Sequence, residues 1–212
     1  MKTWEALGFL SFFATFSFAV NLQDEILAGT NLGVYRSVDN GGNWAATSLT
    51  RSNLVVTDLA INSNGDIFAA TVDGRNQVSV FRSTDNGENW LPVNQGLDGS
   101  IIDALGVNQK GDIFAASRGS GIFLSTDNGA TWTKTSIPNV EVRTFAINHR
   151  GYVFAGTSDG IFISIDDGNT WSRSNEGLTN TDILSTAIDN KGHTLAGTHG
   201  SGVFRTLEVR SW

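Results

Sequence analysis

One eight-residue motif, Ser-x-Asp-x-Gly-x-x-Trp, occurs four times in this chain and restricts its fold more than any other feature. Its copies begin at Ser37, Ser83, Ser125 and Ser164, so successive copies start 46, 42 and 39 residues apart. A period of this size is typical of repeat arrays, in which each unit buries its apolar faces against its neighbours. The sequence is therefore expected to form one repeat domain.

The segments between the motifs have the pattern of short β-strands. In the second repeat, apolar and β-branched residues mark strands at 57–61, 67–71, 78–82 and 90–93, with a turn at 62–65 between the first two. The chain has 24 glycines and only 2 prolines, which suits tight hairpin turns that need positive φ angles. Four antiparallel strands per repeat, arranged radially, describe a propeller blade. We therefore predict an all-β fold, a β-propeller of four-stranded antiparallel blades.

A fifth unit follows the last motif. Strand patterns at 183–188, 194–198 and 203–206 repeat the order of the earlier units, but no motif follows them. The sequence thus predicts about five blades in a single domain over residues 20–212, either as a whole propeller or as a fragment of a larger one.

The motif resembles the Asp-box, or BNR repeat, of sialidases, sortilin-type receptors and photosystem assembly factors, and the resemblance extends over residues 26–206. In that family the box is the hairpin between the third and fourth strands of a blade. The resemblance implies a structural turn role for sixteen residues here, which are Ser37, Asp39, Gly41, Trp44, Ser83, Asp85, Gly87, Trp90, Ser125, Asp127, Gly129, Trp132, Ser164, Asp166, Gly168 and Trp171.

The chemistry of the motif agrees with that role. A short carboxylate such as Asp85 can accept backbone N–H groups across its own turn, and Gly87 tolerates left-handed backbone geometry. The alternative, calcium binding by the motif carboxylates, is disfavoured because the loop lacks the regular acidic ligands and terminal glutamate of a dedicated calcium loop. No metal and no cofactor are predicted.

The first nineteen residues allow two interpretations. Lys2 precedes an uncharged, phenylalanine-rich run at 6–20, and Ser17 and Ala19 stand where small residues precede a signal-peptidase cut. Residues 1–19 are therefore a candidate signal peptide, which would place the protein outside the cytoplasm, either secreted, periplasmic or on the cell surface.

The second interpretation makes the same segment part of the first blade. The segments 18–21 and 26–30 have the spacing of 145–148 and 153–157, and 3–5 resembles the end of a motif. On this alternative, residues 3–5 would form the fourth strand of the last blade and close a five-bladed ring, so that no sheet edge stays exposed.

Composition excludes several classes of function. The formal net charge is −7, and no basic stripe is present to neutralise phosphates, so nucleic acid is not an expected partner. Cysteine is absent, which removes disulfides, thiolate metal sites and cysteine nucleophiles. No other segment approaches 18 consecutive apolar residues, and an integral membrane protein is not predicted.

Catalytic residues are not predicted either. Sialidase chemistry needs an arginine cluster and a tyrosine nucleophile, but the Phe/Tyr-Arg-Ile-Pro motif of that family does not occur, and Tyr35 and Tyr152 are the only tyrosines. The loop carboxylates Asp98, Asp159 and Glu176 keep a glycan-active hydrolase open as an alternative, because sequence cannot measure the separation of two carboxylates.

A ligand is expected on the face opposite the motifs, where the loops after the second and fourth strands of each blade meet. The candidate ligand-binding residues are Arg75, Arg118, Asp159 and His199, and the weaker candidates are Asn31, Asp98, Asn139 and Glu176. The function predicted from the sequence is a non-catalytic, secreted interaction scaffold that binds a protein or a glycan. The alternative is a glycan-active hydrolase or a truncated part of one.

Overall fold

A computed structural model describes residues 13–206, which contain nineteen β-strands in five antiparallel sheets and no α-helix. This confirms the predicted all-β propeller of about five antiparallel blades. Within these residues there is accordingly no helix with the length and apolarity needed to cross a membrane.

The first of two compact units ends at Val93 and holds the first two sheets, which we call blades 1 and 2. Blade 1 consists of β1 (Thr15–Val20), β2 (Ile26–Thr30), β3 (Gly33–Ser37) and β4 (Ala45–Thr50). Blade 2 consists of β5 (Leu54–Ile61), β6 (Ile67–Asp73), β7 (Val78–Ser83) and β8 (Leu91–Pro92). In each blade the strands lie side by side in chain order.

The second unit begins at Asn94 and holds blades 3, 4 and 5. Blade 3 consists of β9 (Ile102–Val107), β10 (Ile113–Ser117), β11 (Gly121–Ser125) and β12 (Thr133–Lys134), and blade 4 of β13 (Val142–Ile147), β14 (Val153–Thr157), β15 (Gly160–Ser164) and β16 (Ser172–Arg173). Within residues 13–206, blade 5 has three strands, β17 (Ile183–Ile188), β18 (Thr194–Thr198) and β19 (Gly202–Arg205).

The fourth strand of blade 2 is shorter than the sequence suggests. A strand was expected at 90–93, but β8 contains only Leu91 and Pro92, and both side chains are exposed. Proline has no N–H group and is confined to sheet edges, so the regular ladder ends there. The pairing still continues through one further bond, from Val93 N to Val80 O at 2.8 Å.

Residues at the start of the described chain form a strand of blade 1. In β1, Phe18 pairs with Ala28, the same register in which Phe145 pairs with Ala155 in blade 4. The proposed strand at residues 3–5 lies outside the described residues. The signal peptide at 1–19 remains a prediction.

Each of the four motifs forms the turn between the third and fourth strands of its blade. In blade 2, Ser83 Oγ accepts a hydrogen bond from Gly87 N at 2.8 Å and donates one to Asp85 Oδ1 at 2.9 Å. The same carboxylate oxygen accepts the N–H of Asn89 at 2.8 Å. Asn86 and Gly87 have φ angles of +56° and +87°, which explains the glycine of the motif. The motif serines are buried in all four copies, at Ser37, Ser83, Ser125 and Ser164.

Neighbouring blades of a unit pack face to face, and the motif tryptophan takes part in that packing. In the first unit, Trp90 of blade 2 packs against a core cluster that contains Leu27 and Val34 of blade 1. In the second unit, Trp171 of blade 4 packs against a cluster that contains Phe114 and Ile122 of blade 3. In these two copies of the motif, the large aromatic side chain is thus partly buried at the interface with the preceding blade.

Candidate functional site

The strand order of the blades separates two ends of each sheet. The turn between the first and second strands and the motif turn lie at one end, which we call the motif end. The connection between the second and third strands and the segment leading to the next blade lie at the other, the loop end. All four candidate ligand-binding residues are at or next to loop-end segments, but Arg75 belongs to the first unit and the other three to the second.

Arg118 forms an ion pair at the loop end of blade 3. Its guanidinium donates two hydrogen bonds to the carboxylate of Asp103, and this pairing raises the pKa of Arg118. The arginine side chain is 56% exposed, whereas that of Asp103 is 16% exposed. The positive member of the pair is therefore accessible to solvent, and the negative member is largely covered.

Asp159 forms a second ion pair at the loop end, in blade 4. Its partner is Arg173, whose guanidinium lies over the ring of Phe162 at 5.3 Å from the centroid. Both charged side chains of this pair are about half exposed. The aromatic ring fixes the position of the arginine while leaving its outer edge open.

A chain of charges connects blade 4 to blade 5 at the same end. Arg143 contacts Glu141 of its own blade and Asp182, which precedes the first strand of blade 5. The Nδ1 atom of His199 lies 3.3 Å from Asp182 Oδ2. The guanidinium of Arg143 lowers the pKa of Asp182, and the two carboxylates raise the pKa of Arg143, with Glu141 the larger influence. We call this set, together with Arg118, Asp103, Arg173 and Asp159, the ionic face of the second unit.

The weaker candidates of the second unit differ in their surroundings. Asp98 is an exposed residue that accepts hydrogen bonds from Ser100 N at 2.9 Å and from Ser117 Oγ at 3.1 Å. Burial, the largest single influence, raises the pKa of Asp98, but hydrogen bonds from Ser120, Ser100 and Ser117 together keep it below its usual range. Asn139 and Glu176 are also exposed loop residues. All three side chains are thus accessible to a ligand.

In the first unit, Arg75 lines a polar depression of about 500 Å³ together with Arg51 and Asp73. Asp73 accepts the backbone N–H groups of Arg75 and Gln77, at 2.8 and 3.0 Å, and these bonds lower its pKa. Asn31, in the corresponding connection of blade 1, buries its side-chain oxygen, which has no hydrogen-bond partner within residues 13–206. Arg75 thus lies in a turn stabilised by its own aspartate.

Sequence reasoning missed Asp103, Arg143, Arg173 and Asp182, which are the partners of the predicted residues. Asp103 and Arg143 occupy the same position in successive repeats, the second residue of the first strand of blades 3 and 4. An alignment of the repeats would have shown that this position changes from an acidic to a basic residue. It could not have shown which loop residue approaches each of them.

The chemistry available at this end is that of fixed charges. Among residues 13–206, every carboxyl group whose pKa is shifted has it shifted downward, and no group of three or more His, Asp or Glu side chains is placed to hold a metal ion. Such carboxylates accept hydrogen bonds at neutral pH, and the arginines beside them donate. Half-exposed ion pairs of this kind are worth little by themselves and can exchange partners at low cost.

Comparison with known proteins gives one family and many structural neighbours. The model of the DUF6242 beta propeller domain matches residues 43–192. No curated protein matches the sequence.

Three solved structures illustrate the structural likeness. The extracellular domain of BT4673 from B. thetaiotaomicron superposes with a TM-score of 0.72 at 14% identity, over 91% of this chain and 27% of that one. The GH74 xyloglucanase from Xanthomonas campestris gives a TM-score of 0.73 at 17% identity, over 92% and 36% of the two chains. YCF48 bound to D1 peptide gives 0.67 at 15% identity, over 94% and 64%. At sequence identities this low, the likeness shows a shared fold only. This chain spans about a quarter of the length of the first protein.

Proposed function

The chain belongs to the family of the DUF6242 beta propeller domain, and we propose that it is a non-catalytic interaction module that binds a protein or a glycan through its loop end. The observation that carries this proposal is the ionic face of the second unit. Its pairs hold arginine and carboxylate groups in fixed positions while leaving the outer parts of Arg118, Arg173 and His199 half exposed or more.

Fixed, half-exposed charges favour recognition over chemistry. A ligand hydroxyl or carboxylate can bind an arginine edge without a large loss of side-chain entropy, because the internal partner already orients the guanidinium. A general acid, in contrast, needs a carboxyl group whose pKa is raised toward neutrality. Asp182 has its pKa shifted the other way.

Binding outside the cytoplasm is part of the proposal. The signal-peptide pattern at 1–19 supports it, and so does the fold shared with the extracellular domain of BT4673. That D1 peptide is bound to YCF48 supports the view that a propeller of this kind can take a protein ligand. The proposed binding residues are Arg118, Asp159 and His199 in the second unit, with Arg75 in the first.

The alternative remains a glycan-active hydrolase, for which the fold shared with a GH74 xyloglucanase is the specific observation. It predicts turnover of fluorogenic glycosides by the full chain, and loss of turnover on changing Asp98, Asp159 or Glu176. Turnover with that pattern would replace the interaction module as the function of this protein.

Binding is tested by presenting the labelled full chain to a glycan array and to a phage library of random peptides. The hits are then measured against two single variants, Arg118→Ala and Lys110→Ala. Each removes one exposed cation from an ion pair in the second unit, but Arg118 is at the loop end and Lys110 at the motif end, where it pairs with Asp167.

We expect Arg118→Ala to weaken the ligand at least about tenfold and Lys110→Ala to leave it unchanged, since about tenfold corresponds to one charged hydrogen bond. The affinity should also fall with added salt. Equal effects of the two variants, or a ligand insensitive to both, would show that the loop end of the second unit is not the binding surface.

A further inference from the structure

The interface between blades 3 and 4 shows what a complete blade contributes to its neighbour. The motif of blade 4 packs back onto blade 3, where Trp171 joins the cluster of Phe114, Ile122 and Phe162, with Leu124 at its edge. The same kind of packing places Trp90 of blade 2 on blade 1. A motif tryptophan thus fills the outer part of each of these two interfaces.

The corresponding interface between blades 4 and 5 has no motif within residues 13–206. By strand register, Phe154, Ile161 and Ile163 of blade 4 match Phe114, Ile122 and Leu124 of blade 3, and Phe204 matches Phe162. These four apolar side chains line a groove of about 630 Å³ between blades 4 and 5. The groove lies where the tryptophan of a fifth motif would pack.

The edge strand β19 borders this groove, and no strand within residues 13–206 pairs with its outer side. In blades 2, 3 and 4 the N–H of the residue just after the fourth strand donates to the carbonyl of the residue three positions before the motif serine, for example Thr135 N to Ile122 O and Ser174 N to Ile161 O, both at 2.8 Å. The matching residue of blade 5 is Val203, in the edge strand β19, and 71% of Val203 is exposed. An unpaired edge of this kind accepts an added strand.

The rim of the groove carries positive charge. In blade 3 the first turn supplies Asn108 and Lys110, and both side chains bind Asp167 in the motif of blade 4. The equivalent residues of blade 4 are Asn148 and Arg150. Both line the groove, and the exposed guanidinium of Arg150 makes no ion pair within residues 13–206.

A second arginine strengthens this charge. Arg205 is exposed at the same rim, and Glu176, the one acidic residue among residues 13–206 that lines the groove, lies toward its loop end. The rim therefore differs in sign from the chain as a whole, whose net charge is −7. An acidic segment is the complementary partner.

We propose that this groove is a second binding site, which takes from a partner protein a segment with an acidic residue followed four positions later by a tryptophan. The acidic residue pairs with Arg150, the tryptophan packs on Phe154, Ile163 and Phe204, and the backbone adds a fourth strand to β19. The template is the motif of blade 4, in which Asp167 and Trp171 have this spacing and make the matching contacts with blade 3. The residues proposed to contact this segment are not members of the ionic face proposed above.

The probe is a labelled synthetic peptide with the sequence of residues 164–173, added to the full chain and followed by fluorescence anisotropy. We expect saturable binding, and at least about tenfold weaker binding for peptides that carry Trp171→Ala or Asp167→Asn. Hydrogen exchange at 202–205 should slow when the peptide binds, because the free edge becomes paired.

Protein variants assign the contact. Arg150→Glu should weaken the peptide at least about tenfold, and a peptide with Asp167→Lys should restore the affinity of that variant. Lys191→Glu is the matched control, since Lys191 is an exposed cation in the corresponding turn of blade 5 but does not line the groove. Its affinity should be unchanged.

Three results would overturn the proposal. One is the absence of peptide binding. Another is binding that Arg150→Glu and Lys191→Glu weaken equally, which would indicate unspecific attraction. The third is slow exchange at 202–205 in the full chain without peptide, together with no binding, since a segment of the chain itself would then occupy the groove.

Discussion

Gly168 of blade 4 lies directly against Phe114 of blade 3. A Cβ atom placed on Gly168 would come within 2.6 Å of Phe114 Cε1, and Phe114 is fully buried. The motif glycine is therefore needed twice, once for its φ angle of +87° and once for the close approach of two blades. The second requirement follows from the packing and is not visible in the turn alone.

Gly168→Ala should destabilise the second unit much more than Gly111→Ala. Both glycines have nearly the same positive φ, +87° and +88°, so each substitution costs about 1 to 2 kcal/mol of backbone strain. Gly111 has nothing within 4 Å of its added Cβ, whereas the alanine at 168 must displace Phe114, which adds about 1 to 3 kcal/mol. Urea unfolding of the two variants measures the difference. Equal losses would mean that Phe114 moves aside without cost.

Ser125→Ala tests the hydrogen bonds within a motif. The buried hydroxyl accepts the N–H of Gly129 at 2.8 Å and bonds Asp127 Oδ1 at 2.8 Å, so its removal leaves a buried N–H without a partner. We expect a loss of about 1 to 3 kcal/mol in the free energy of unfolding. The control is Ser158→Ala, an exposed serine of the same unit, with an expected change within about 0.5 kcal/mol. Thermal unfolding of both variants measures the two losses. Equal losses would mean that the motif serine does not contribute to stability.

Ser17→Ala tests whether β1 stabilises the first unit. The Ser17 hydroxyl donates to Asp58 Oδ1 at 2.7 Å and accepts the N–H of Leu59 at 3.1 Å, so it connects blade 1 to blade 2. The substitution should cost about 1 kcal/mol in a chain that retains residues 1–19. Faster hydrogen exchange in β1 and β5, with blades 3 to 5 unchanged, is the expected signature. Unchanged exchange in β1 and β5 would mean that the Ser17 contacts do not stabilise the first unit.

The signal-peptide alternative makes an independent prediction for the same residues. If residues 1–19 are cleaved on export, the intact mass of the mature product corresponds to a chain that begins at Val20, and β1 is lost with the leader. A product that retains Met1 would instead keep β1 paired with β2 through Phe18 and Ala28. Mass spectrometry of the purified protein distinguishes the two.

Stability should fall below about pH 4 in part through Asp189. The side chain of His193 bonds its carboxylate at 2.7 Å and, as the largest influence, lowers the pKa of Asp189 from 3.8 to about 2. A lowered pKa in the folded state contributes stability that is complete above 3.8 and is lost as the pH falls through about 2. Asp189→Asn should therefore reduce the steepness of acid unfolding over this range. Part of the acid dependence of stability should remain in that variant, because the pKa values of the motif carboxylates are also lowered.

His193→Gln is the companion variant, since it removes the largest influence but keeps the carboxylate and its backbone bonds from Lys191 and His193. Its acid unfolding should lie between those of the wild type and Asp189→Asn. If the free energy of unfolding of either variant depends on pH in the same way as that of the wild type, the acid effect does not come from the Asp189–His193 pair.

Local sequence predicted most of the fold because the repeating unit is defined by short-range interactions. The hydroxyl of Ser83, the carboxylate of Asp85 and the amide of Gly87 are within four residues of one another, so the motif spacing is sufficient to predict the turn. The alternation of apolar residues predicted the strands around it, including the three strands that blade 5 has within residues 13–206. The length of the fourth strands was less predictable, since an exposed edge such as β8 carries little hydrophobic pattern.

The candidate site could be located only to an end of the blades. Sequence placed Arg118, Asp159 and His199 in loop-end connections because strand order fixes which turns share an end. Their partners are 15, 14 and 17 residues away along the chain. Each of these pairs lies within one blade, so it depends on the twist of that sheet and on the path of its loop, and no local pattern encodes either.

The sequence by itself determined the repeating unit, its turns and the number of blades, because each is set by contacts within a few residues or by the alternation of one strand. The tertiary structure alone decided which charges meet at the loop end and which interface has no motif tryptophan within residues 13–206. The open groove beside Phe204 and the contact of Gly168 with Phe114 both arise between blades. Packing of that kind depends on long-range positions that a repeat pattern leaves undefined.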